Sequence, residues 1–188
     1  MVPRGGRRKP CPDRSASCNI RPVKDTENPA RPGPPDSDRE AVFVPDVTVA
    51  ALVRDGDRLL LVEEDVRGSH VINQPAGHLE AGESLAEAMV RECLEETGWR
   101  VEPSGLVGIY QWVEPASGRQ FMRVAFAARP IAHDAGRPLD EGILRPLWLT
   151  AGELRDCASR HRSPLVLQVV EDFLARPALP LDAARWLG

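Results

Sequence analysis

The sequence predicts an α/β (α+β) fold in which a mixed β-sheet is sandwiched between α-helices. Apolar runs typical of strands dominate the middle of the chain, and segments with helical periodicity and capping residues lie on either side of them. The composition, with 42% hydrophobic and 28% charged residues among 188, is ordinary for a soluble protein. We therefore expect one globular domain, at residues 41–188.

Residues 1–40 differ from the rest of the chain in composition. They hold eight of the 18 prolines and nine Lys or Arg against six Asp or Glu, and they show no apolar periodicity. Such a segment buries too little apolar surface to offset the entropy lost on ordering. We predict a disordered tail without a catalytic role; the functional alternative is a basic arm that touches nucleic acid or a partner.

The predicted strands are apolar runs bounded by turn residues. They cover residues 47–53, 58–63, 106–112, 121–128 and 144–149. Asp55-Gly56 joins the first two and is a strong signal for a tight turn, so we expect these two strands to form a hairpin. Residues 66–73 then lead into the loop before the first helix.

The first predicted helix spans residues 84–97. Ser84 and Glu87, three residues apart, form a capping box at its start. Gly98 is the residue expected just past its end, because glycine readily adopts the left-handed conformation that closes a helix.

Two shorter helices are predicted near the C-terminus. Residues 151–157 follow a second capping box, made by Thr150 and Glu153. Residues 164–174 form the last amphipathic helix, with Ser163 as its cap and proline in its first turn.

The first helix carries three carboxylates, Glu92, Glu95 and Glu96, in its last turns. At 100° per residue they fall within an arc of about 100° and share one face. They repel one another, and the negative end of the helix dipole adds to the cost. A cation would compensate, and ligands that are all oxygen favour Mg²⁺ or Mn²⁺. The alternative is a solvated acidic face with chance spacing.

The residues around this helix form a longer pattern. Residues 77–83 are Gly-His-Leu-Glu-Ala-Gly-Glu, seven residues follow, and residues 91–99 are Arg-Glu-Cys-Leu-Glu-Glu-Thr-Gly-Trp. This resembles the signature of the Nudix hydrolases: Gly, five residues, Glu, seven residues, Arg-Glu, an apolar residue, any residue, Glu-Glu, any residue, Gly and an apolar residue. Every fixed position matches.

The resemblance implies the same sandwich fold and an enzyme that cleaves a diphosphate linked to another moiety. In phosphoryl transfer, metal ions neutralise phosphate oxygens and lower the pKa of a bound water. Glu92 and Glu96, one helical turn apart, are the first choice as metal ligands, and Glu95 completes the shell or holds a metal-bound water. Backbone carbonyls of Ala76 and Gly77 can add oxygens, since glycine permits close approach and unusual dihedral angles.

Other motif residues are expected to support the site. Arg91 is expected to pair with Glu83 and tie the loop onto the helix, which is a structural role, as is that of Gly98. The general base is expected either on the motif helix or on a later loop. Asp140 and Glu141 are the downstream candidates, and a solvated turn is the alternative for both.

A second set of residues narrows the resemblance to one subgroup of this family. Residues 73–80, Asn-Gln-Pro-Ala-Gly-His-Leu-Glu, depart from the commoner Pro-Gly-Gly form of this loop, and Gln111-Trp112, residues 121–126 and residues 162–166 accompany it. The set resembles the NudJ-type phosphatases over about residues 45–182. That subgroup acts on nucleoside tri- and diphosphates and on hydroxymethylpyrimidine pyrophosphate, a thiamine precursor, and releases orthophosphate.

Two other functions stay open at this point. One is a different Nudix chemistry, such as hydrolysis of ADP-ribose or another nucleotide sugar, or decapping of RNA. The other is a nucleotide-binding module without catalysis, although all the motif acids that such a module would be expected to lose are present.

Two of the candidate substrate-binding residues lie in predicted strands. Trp112 ends a strand near a sheet edge and either stacks on a base or belongs to the core. Arg123 lies in an otherwise apolar strand, where a buried charge needs a partner. A substrate phosphate would supply one, and so would Glu63 or Glu114.

The other candidates lie in loops. Arg162, beside a helix N-terminus, either binds a second anion or belongs to a plain cap. His78 either contacts substrate or is a loop histidine with a satisfied hydrogen bond. Gln74 is a candidate because it belongs to the subgroup's form of the motif loop.

Charge and cysteine usage limit the partners. After residue 40 the chain has 15 Lys or Arg against 22 Asp or Glu, so we expect a small phosphate or nucleotide substrate rather than nucleic acid.

No apolar run approaches the roughly 18 residues that a membrane span needs. The four cysteines fit neither a zinc site nor a disulfide framework, and no signal peptide is visible, so a cytoplasmic protein is the simplest interpretation. Monomer and homodimer both remain open.

Overall fold

The computed structural model of the chain describes residues 43–188, so the tail predicted for residues 1–40 lies outside the described part. The strands in this part are β1 (Asp46–Asp55), β2 (Arg58–Val66), β3 (Ser69–Asn73), β4 (Ala76–His78), β5 (Trp99–Val113), β6 (Gln120–His133) and β7 (Ile143–Thr150). The α-helices are α1 (Leu85–Thr97), α2 (Ala151–Asp156) and α3 (Leu165–Ala175). Short 3₁₀ turns lie at Ala158–Arg160 and Leu181–Ala183.

The seven strands form a mixed sheet with the order β3-β2-β1-β6-β5, to which β4 adds on β1 and β7 on β2. The pair β1–β6 is parallel, and β1–β4, β2–β3, β2–β7 and β5–β6 are antiparallel. The predicted mixed sheet is therefore confirmed.

The predicted hairpin of β1 and β2 is only partly correct. The turn is present, with Gly56 at φ +59°, but the two strands pair at only two positions, Arg54–Leu59 and Asp55–Arg58. Beyond these positions β1 pairs with β6 and β4, while β2 pairs with β3 and β7. The reason is that β1 is apolar on both faces, which favours an inner position between other strands.

Packing on the two faces of β1 confirms that helices cover both sides of the sheet. Val49, Ala51 and Val53 point into a core that contains residues of α1. Ala50 and Leu52 point the other way, into a core that contains residues of α2 and α3. The alternation of side chains along a strand thus places one strand in two cores.

The caps of α1 match the sequence prediction. The amide of Glu87 donates to the Ser84 hydroxyl at 3.2 Å, and the amide of Ser84 donates to the Glu87 carboxylate at 2.8 Å. Gly98 closes the helix at φ +69°, and its amide donates to the carbonyl of Leu94 at 2.9 Å.

The later helices match in position but not in every cap. Thr150 and Glu153 form the predicted capping box of α2. Ser163 does not cap α3 as predicted: its hydroxyl has no hydrogen-bond partner, and its carbonyl accepts from the amide of Val166. The amide of Val166, from which a capping hydroxyl would accept, is thus already bound to the Ser163 carbonyl, at 3.2 Å. None of the described helices has the length and apolar composition that crossing a bilayer requires.

Strand β5 begins seven residues before the predicted start, at Trp99. Register shifts interrupt its pairing with β6 near Val101, Pro103 and Leu106. Such bulges are tolerated in an edge strand, where Pro103 need not donate a hydrogen bond to a second neighbour. The proline and glycine that argue against a strand in the sequence therefore mark its bulges.

Candidate active site

The acidic face of α1 meets the loop before β7. Carboxylate oxygens of Glu92, Glu95 and Asp140 lie within 4.8 Å of one another, and we call these three residues the carboxylate cluster. The amide of Asp140 donates to the carbonyl of Glu95 at 3.2 Å, which fixes the loop against the end of the helix. Two segments more than 40 residues apart therefore supply one group of oxygen ligands.

Glu96, the third predicted acid, lies beside the cluster and faces β4. It is 8% exposed, and its carboxylate accepts from the amide of Ala76 at 2.8 Å. Burial raises the pKa of Glu96 to about 9, and the charges of Glu64, Glu92 and Asp140 act in the same direction. Burial also raises the pKa of Glu92.

This donor set fits a divalent cation. Opposite ligands of an octahedral Mg²⁺ site are about 4 Å apart, close to the spacing within the carboxylate cluster. Burial of Glu92 and Glu96 disfavours their negatively charged forms, and a bound cation would offset that cost. Carboxylate oxygens are also the ligands that Mg²⁺ and Mn²⁺ prefer.

The pairing of β4 with β1 determines where the backbone carbonyls of Ala76 and Gly77 point. Both carbonyls were predicted to add oxygen ligands to the metal. Ala51 donates to the carbonyl of Pro75, and Leu79 donates to that of Val47. Because hydrogen-bonded positions alternate in an antiparallel ladder, the backbone groups of Gly77 face β1 and those of Ala76 face away from it. The carbonyl of Ala76 is thus the better placed of the two for a metal.

Gly77 has a different role from supplying an oxygen. A Cβ atom at this position would lie 2.2 Å from the Glu92 carboxyl atoms, so any side chain would displace that carboxylate. Its φ angle is not left-handed, and close approach is therefore the reason for glycine.

Arg91 joins the motif loop to the helix, as expected. Its guanidinium donates to both carboxylate oxygens of Glu83, at 2.8 and 3.0 Å, which is a bidentate pair. It also donates to Glu92 at 2.8 Å, to Glu95 at 3.1 Å and to the carbonyl of His78 at 3.0 Å. The same side chain therefore orders the loop and two acids of the cluster.

Glu141 and Asp140 occupy different places. Asp140 joins the carboxylate cluster, whereas Glu141 lines an adjoining cleft together with Glu64, Glu96 and Arg162. The structure thus brings both downstream candidates to the acidic face, with Asp140 in closer contact.

A second cleft, of about 150 Å³, opens beside β4 and is called the central cleft below. A row of paired residues crosses it, since Thr48 on β1 is opposite His78 on β4 and opposite Arg123 on β6. The polar side chains lining the cleft belong to Thr48, Glu64, Asn73, His78, Glu114, Arg123, Arg162 and Ser163. Gly77 borders both this cleft and the carboxylate of Glu92.

Arg123 is 9% exposed and has no carboxylate partner among the described residues. It donates only to the amide oxygens of Asn73, at 3.3 Å, and Gln74, at 3.5 Å, and its Nε is unpaired. Burial lowers the pKa of Arg123 to about 10. The two acids named as alternative partners are engaged elsewhere: Glu63 with two other arginines, Glu114 with Ser117.

Gln74, which was predicted to bind substrate, is buried in the structure. The side chain is 0% exposed, and its amide nitrogen donates to the carbonyl of Val166 at 2.7 Å. Its oxygen accepts from Arg123. Gln74 therefore positions Arg123 and anchors the loop to α3.

The remaining substrate-binding candidates line the central cleft. Trp112 is half-buried and stacks on Phe121 at 5.7 Å between ring centroids, so it belongs both to the cleft and to the edge of the core. His78 is largely exposed and lies 3.8 Å from the carboxylate of Asp46. The side chain of Arg162 is exposed at the mouth, and its amide donates to the carbonyl of Ile72.

Glu64 lines both clefts and was not among the residues predicted from the sequence. The signal that was available is alternation along β2, since Glu64 follows Leu60 at an interval of four and so faces the α1 side like that residue. Thr48 was not predicted either, because nothing local distinguishes its hydroxyl from that of a surface residue, and Ser163 was predicted only as a helix cap.

Comparison with known proteins agrees with this geometry. A sequence profile of the NUDIX domain matches residues 44–168. Phosphatase NudJ of Escherichia coli strain K12 is 38% identical over 141 residues, which are 75% of this chain and 91% of that protein. A solved NUDIX hydrolase from Nitrosomonas europaea is 44% identical, with a TM-score of 0.75 over 77% of this chain and 98% of that one. An ADP-ribose pyrophosphatase from Streptococcus suis, 18% identical with a TM-score of 0.54 over 71% and 94%, shares the fold.

The chain belongs to the Nudix family and is a hydrolase that acts on phosphoanhydride bonds of a small-molecule substrate. Within the family it is a homologue of phosphatase NudJ. Nudix hydrolases generally use divalent metals, and the carboxylate cluster lies on the helix of the matched motif.

Proposed function

We propose that the protein is a Mg²⁺-dependent phosphatase, able to use Mn²⁺, that releases orthophosphate from nucleoside di- and triphosphates or from hydroxymethylpyrimidine pyrophosphate. One observation carries the proposal: the acidic face of α1 opens beside a cleft that holds a buried arginine and an aromatic pair. The similarity to phosphatase NudJ supports the choice of phosphatase over other Nudix chemistries.

The metal would be held by Glu92, Glu95 and Glu96, with the Ala76 carbonyl and Asp140 as further oxygens. A bound divalent cation neutralises phosphate oxygens and lowers the pKa of water. Arg91 donates to the carboxylates of Glu92 and Glu95 and holds both in place. The general base is proposed to be Glu141, which lies on the loop before β7 and is not among these ligands.

The substrate would lie across β4, between the acids and the central cleft. Trp112 supplies an aromatic surface, and Arg123, His78 and Arg162 supply donors around it. Gln74 acts through Arg123 rather than by contact.

The substrate class is tested with a panel of GTP, GDP, ADP-ribose and hydroxymethylpyrimidine pyrophosphate, in Mg²⁺ and in EDTA. Orthophosphate and pyrophosphate are measured separately. We expect orthophosphate from the nucleotides and from the pyrimidine diphosphate, in Mg²⁺ only. Turnover of ADP-ribose alone would contradict the phosphatase assignment, and release in EDTA would contradict metal dependence.

The metal assignment is tested with Glu96→Gln, which keeps the shape of the side chain. We expect turnover to fall by at least about 100-fold, while the circular dichroism spectrum stays unchanged. Glu102→Gln is the matched control, because that carboxylate is exposed and paired with Arg129 away from the cluster. Full turnover by Glu96→Gln would show that this carboxylate does not hold the metal.

A further inference from the structure

Unpaired polar atoms are concentrated in the central cleft. Five buried side-chain nitrogen or oxygen atoms of the described residues lack a hydrogen-bond partner. Four of the five belong to residues that line this cleft: Thr48 Oγ1, Glu64 Oε1, Arg123 Nε and Ser163 Oγ. Because a buried polar group without a partner is costly, folded proteins keep few of them. Their collection in one cleft indicates a ligand that pairs with them.

Two of these groups are oppositely charged and yet do not pair with each other. Glu64 and Arg123 line the same cleft, but no ion pair within 4.0 Å joins them in the described part of the chain. The neighbouring Glu63, by contrast, pairs with Arg145 and Arg160. The amides of Asn73 and Gln74 hold the Arg123 guanidinium in place while leaving Nε free. A donor and an acceptor are therefore held apart across a gap.

The charges of the cleft disfavour a phosphate group at this position. Glu64 and Glu114 face the same space as Arg123 and Arg162, so the positive and negative side chains balance. A phosphate dianion next to Arg123 would also face the unpaired oxygen of Glu64, and like charges in a buried site repel strongly. A neutral group that both accepts and donates hydrogen bonds has no such conflict.

The walls of the cleft suit a flat ring. Trp112 and Phe121 stack at an interplanar angle of 26° and form an aromatic surface beside the polar atoms. Aromatic surfaces of this kind stack on the heterocycles of nucleotides. Gly77 separates the cleft from the Glu92 carboxylate, so a ring on one side places its phosphates on the other.

We propose that the central cleft binds the heteroaromatic ring of the substrate, with Arg123 donating to a ring acceptor and Glu64 accepting from an adjacent N–H or amino group. The hydroxyls of Thr48 and Ser163 complete the hydrogen bonds, since a hydroxyl donates or accepts. Aminopyrimidines, cytosine, adenine and guanine all present such an edge. This inference deepens the proposed function and rests on it for the nature of the substrate.

The test measures the binding of ligands without phosphate, in EDTA, by calorimetry. Cytidine, adenosine and guanosine are the ring probes, and inhibition of the Mg²⁺-loaded enzyme by inorganic pyrophosphate is the phosphate probe. We expect the nucleosides to bind, and Arg123→Met and Glu64→Gln each to weaken that binding by about tenfold or more. Arg123→Met should leave inhibition by pyrophosphate within about twofold, because the phosphates lie beyond Gly77, beside the acids.

Glu114→Gln is the matched control, since Glu114 lines the same cleft but already accepts from Ser117. Its nucleoside affinity should change less than about twofold, because no unpaired acceptor is lost. Melting curves confirm that each variant is folded. If Arg123→Met does not fold, the isosteric Glu64→Gln and Thr48→Val variants carry the test.

Two results would overturn the ring site. One is that no nucleoside binds to the wild-type protein, and the other is that Arg123→Met loses inhibition by pyrophosphate while nucleoside affinity is kept. The failure of the proposed function is distinguishable from both: nucleosides would bind with the expected pattern among variants, but the substrate panel would yield no orthophosphate.

Discussion

Gly77 shows how a single residue determines the geometry of the acidic site. The space that a Cβ atom would fill is occupied by the carboxylate of Glu92, which lies 2.2 Å from the ideal Cβ position. Arg91 holds that carboxylate from another side. The position of Glu92 therefore depends on a missing side chain as much as on a hydrogen bond.

Gly77→Ala is expected to lower kcat/KM by about 100-fold, because displacing a catalytic carboxylate by about 1 Å has an effect of this order. The measurement is steady-state hydrolysis of the best substrate of the panel, with a melting curve for each variant. The matched control is Gly152→Ala in α2, where the nearest atom is 3.8 Å from the ideal Cβ. Equal activity of the two variants would show that the close approach at Gly77 has no catalytic consequence.

At the scale of elements, one hydrogen bond ties the edge strand β5 to α3. The Tyr110 hydroxyl donates to the carboxylate of Asp172 at 3.0 Å. Asp172 also pairs with Arg176 one turn further along the helix. Since Trp112 lies on the same strand, this contact helps to fix the aromatic wall of the central cleft relative to α3.

Tyr110 should titrate at unusually high pH, which is measurable because it is the only tyrosine of the chain. Burial, followed by the bond to Asp172, raises the pKa of Tyr110 to about 12, against about 10 in an unfolded chain. The unfolded state therefore loses this proton first as pH rises. The stabilisation is complete below about pH 10 and is lost as pH rises towards 12.

The measurement is the ultraviolet absorbance of tyrosinate against pH, with circular dichroism to confirm that the protein stays folded. In Asp172→Asn the apparent pKa should move towards the unfolded value, because the carboxylate that favours the protonated phenol is gone. A wild-type midpoint near 10 in the folded protein would contradict the contact.

At the scale of the whole molecule, the acidic site joins three segments that are distant in sequence. Helix α1 supplies Glu92, Glu95 and Glu96, strand β4 supplies the amide of Ala76, and the loop before β7 supplies Asp140. Folding brings these like charges together, which is unfavourable without a cation. Metal binding should consequently stabilise the folded protein.

We expect Mg²⁺ to raise the melting temperature relative to EDTA, since a ligand at 100 times its Kd adds about 2.7 kcal/mol to the free energy of unfolding. Glu92→Gln should reduce the Mg²⁺-dependent shift. Glu102→Gln, which removes an exposed carboxylate outside the cluster, should keep the full shift. Identical melting of the wild type in Mg²⁺ and EDTA would mean that the cluster does not bind the metal.

Much of the local structure was predictable because it depends on residues close together in sequence. The capping boxes at Ser84 and Thr150, the end of α1 at Gly98 and the shared face of the acids follow from backbone chemistry within one or two turns. The pair of Arg91 with Glu83 was also within reach, since it spans eight residues. The partners of strand β1 were not, because its apolar sequence suits several neighbours equally well.

By itself, therefore, the sequence determined the helix that carries the acids, its ends and the family motif around it. Only the tertiary structure decided that β1 lies between β6 and β4, that Gln74 is buried, and that Glu64, Thr48 and Ser163 meet Arg123 in one cleft. The physical reason is the distance along the sequence between the residues that determine each feature. Caps and helix faces depend on neighbours only a few residues away. The cleft depends on strand pairing and packing between segments as much as 115 residues apart, such as Thr48 and Ser163.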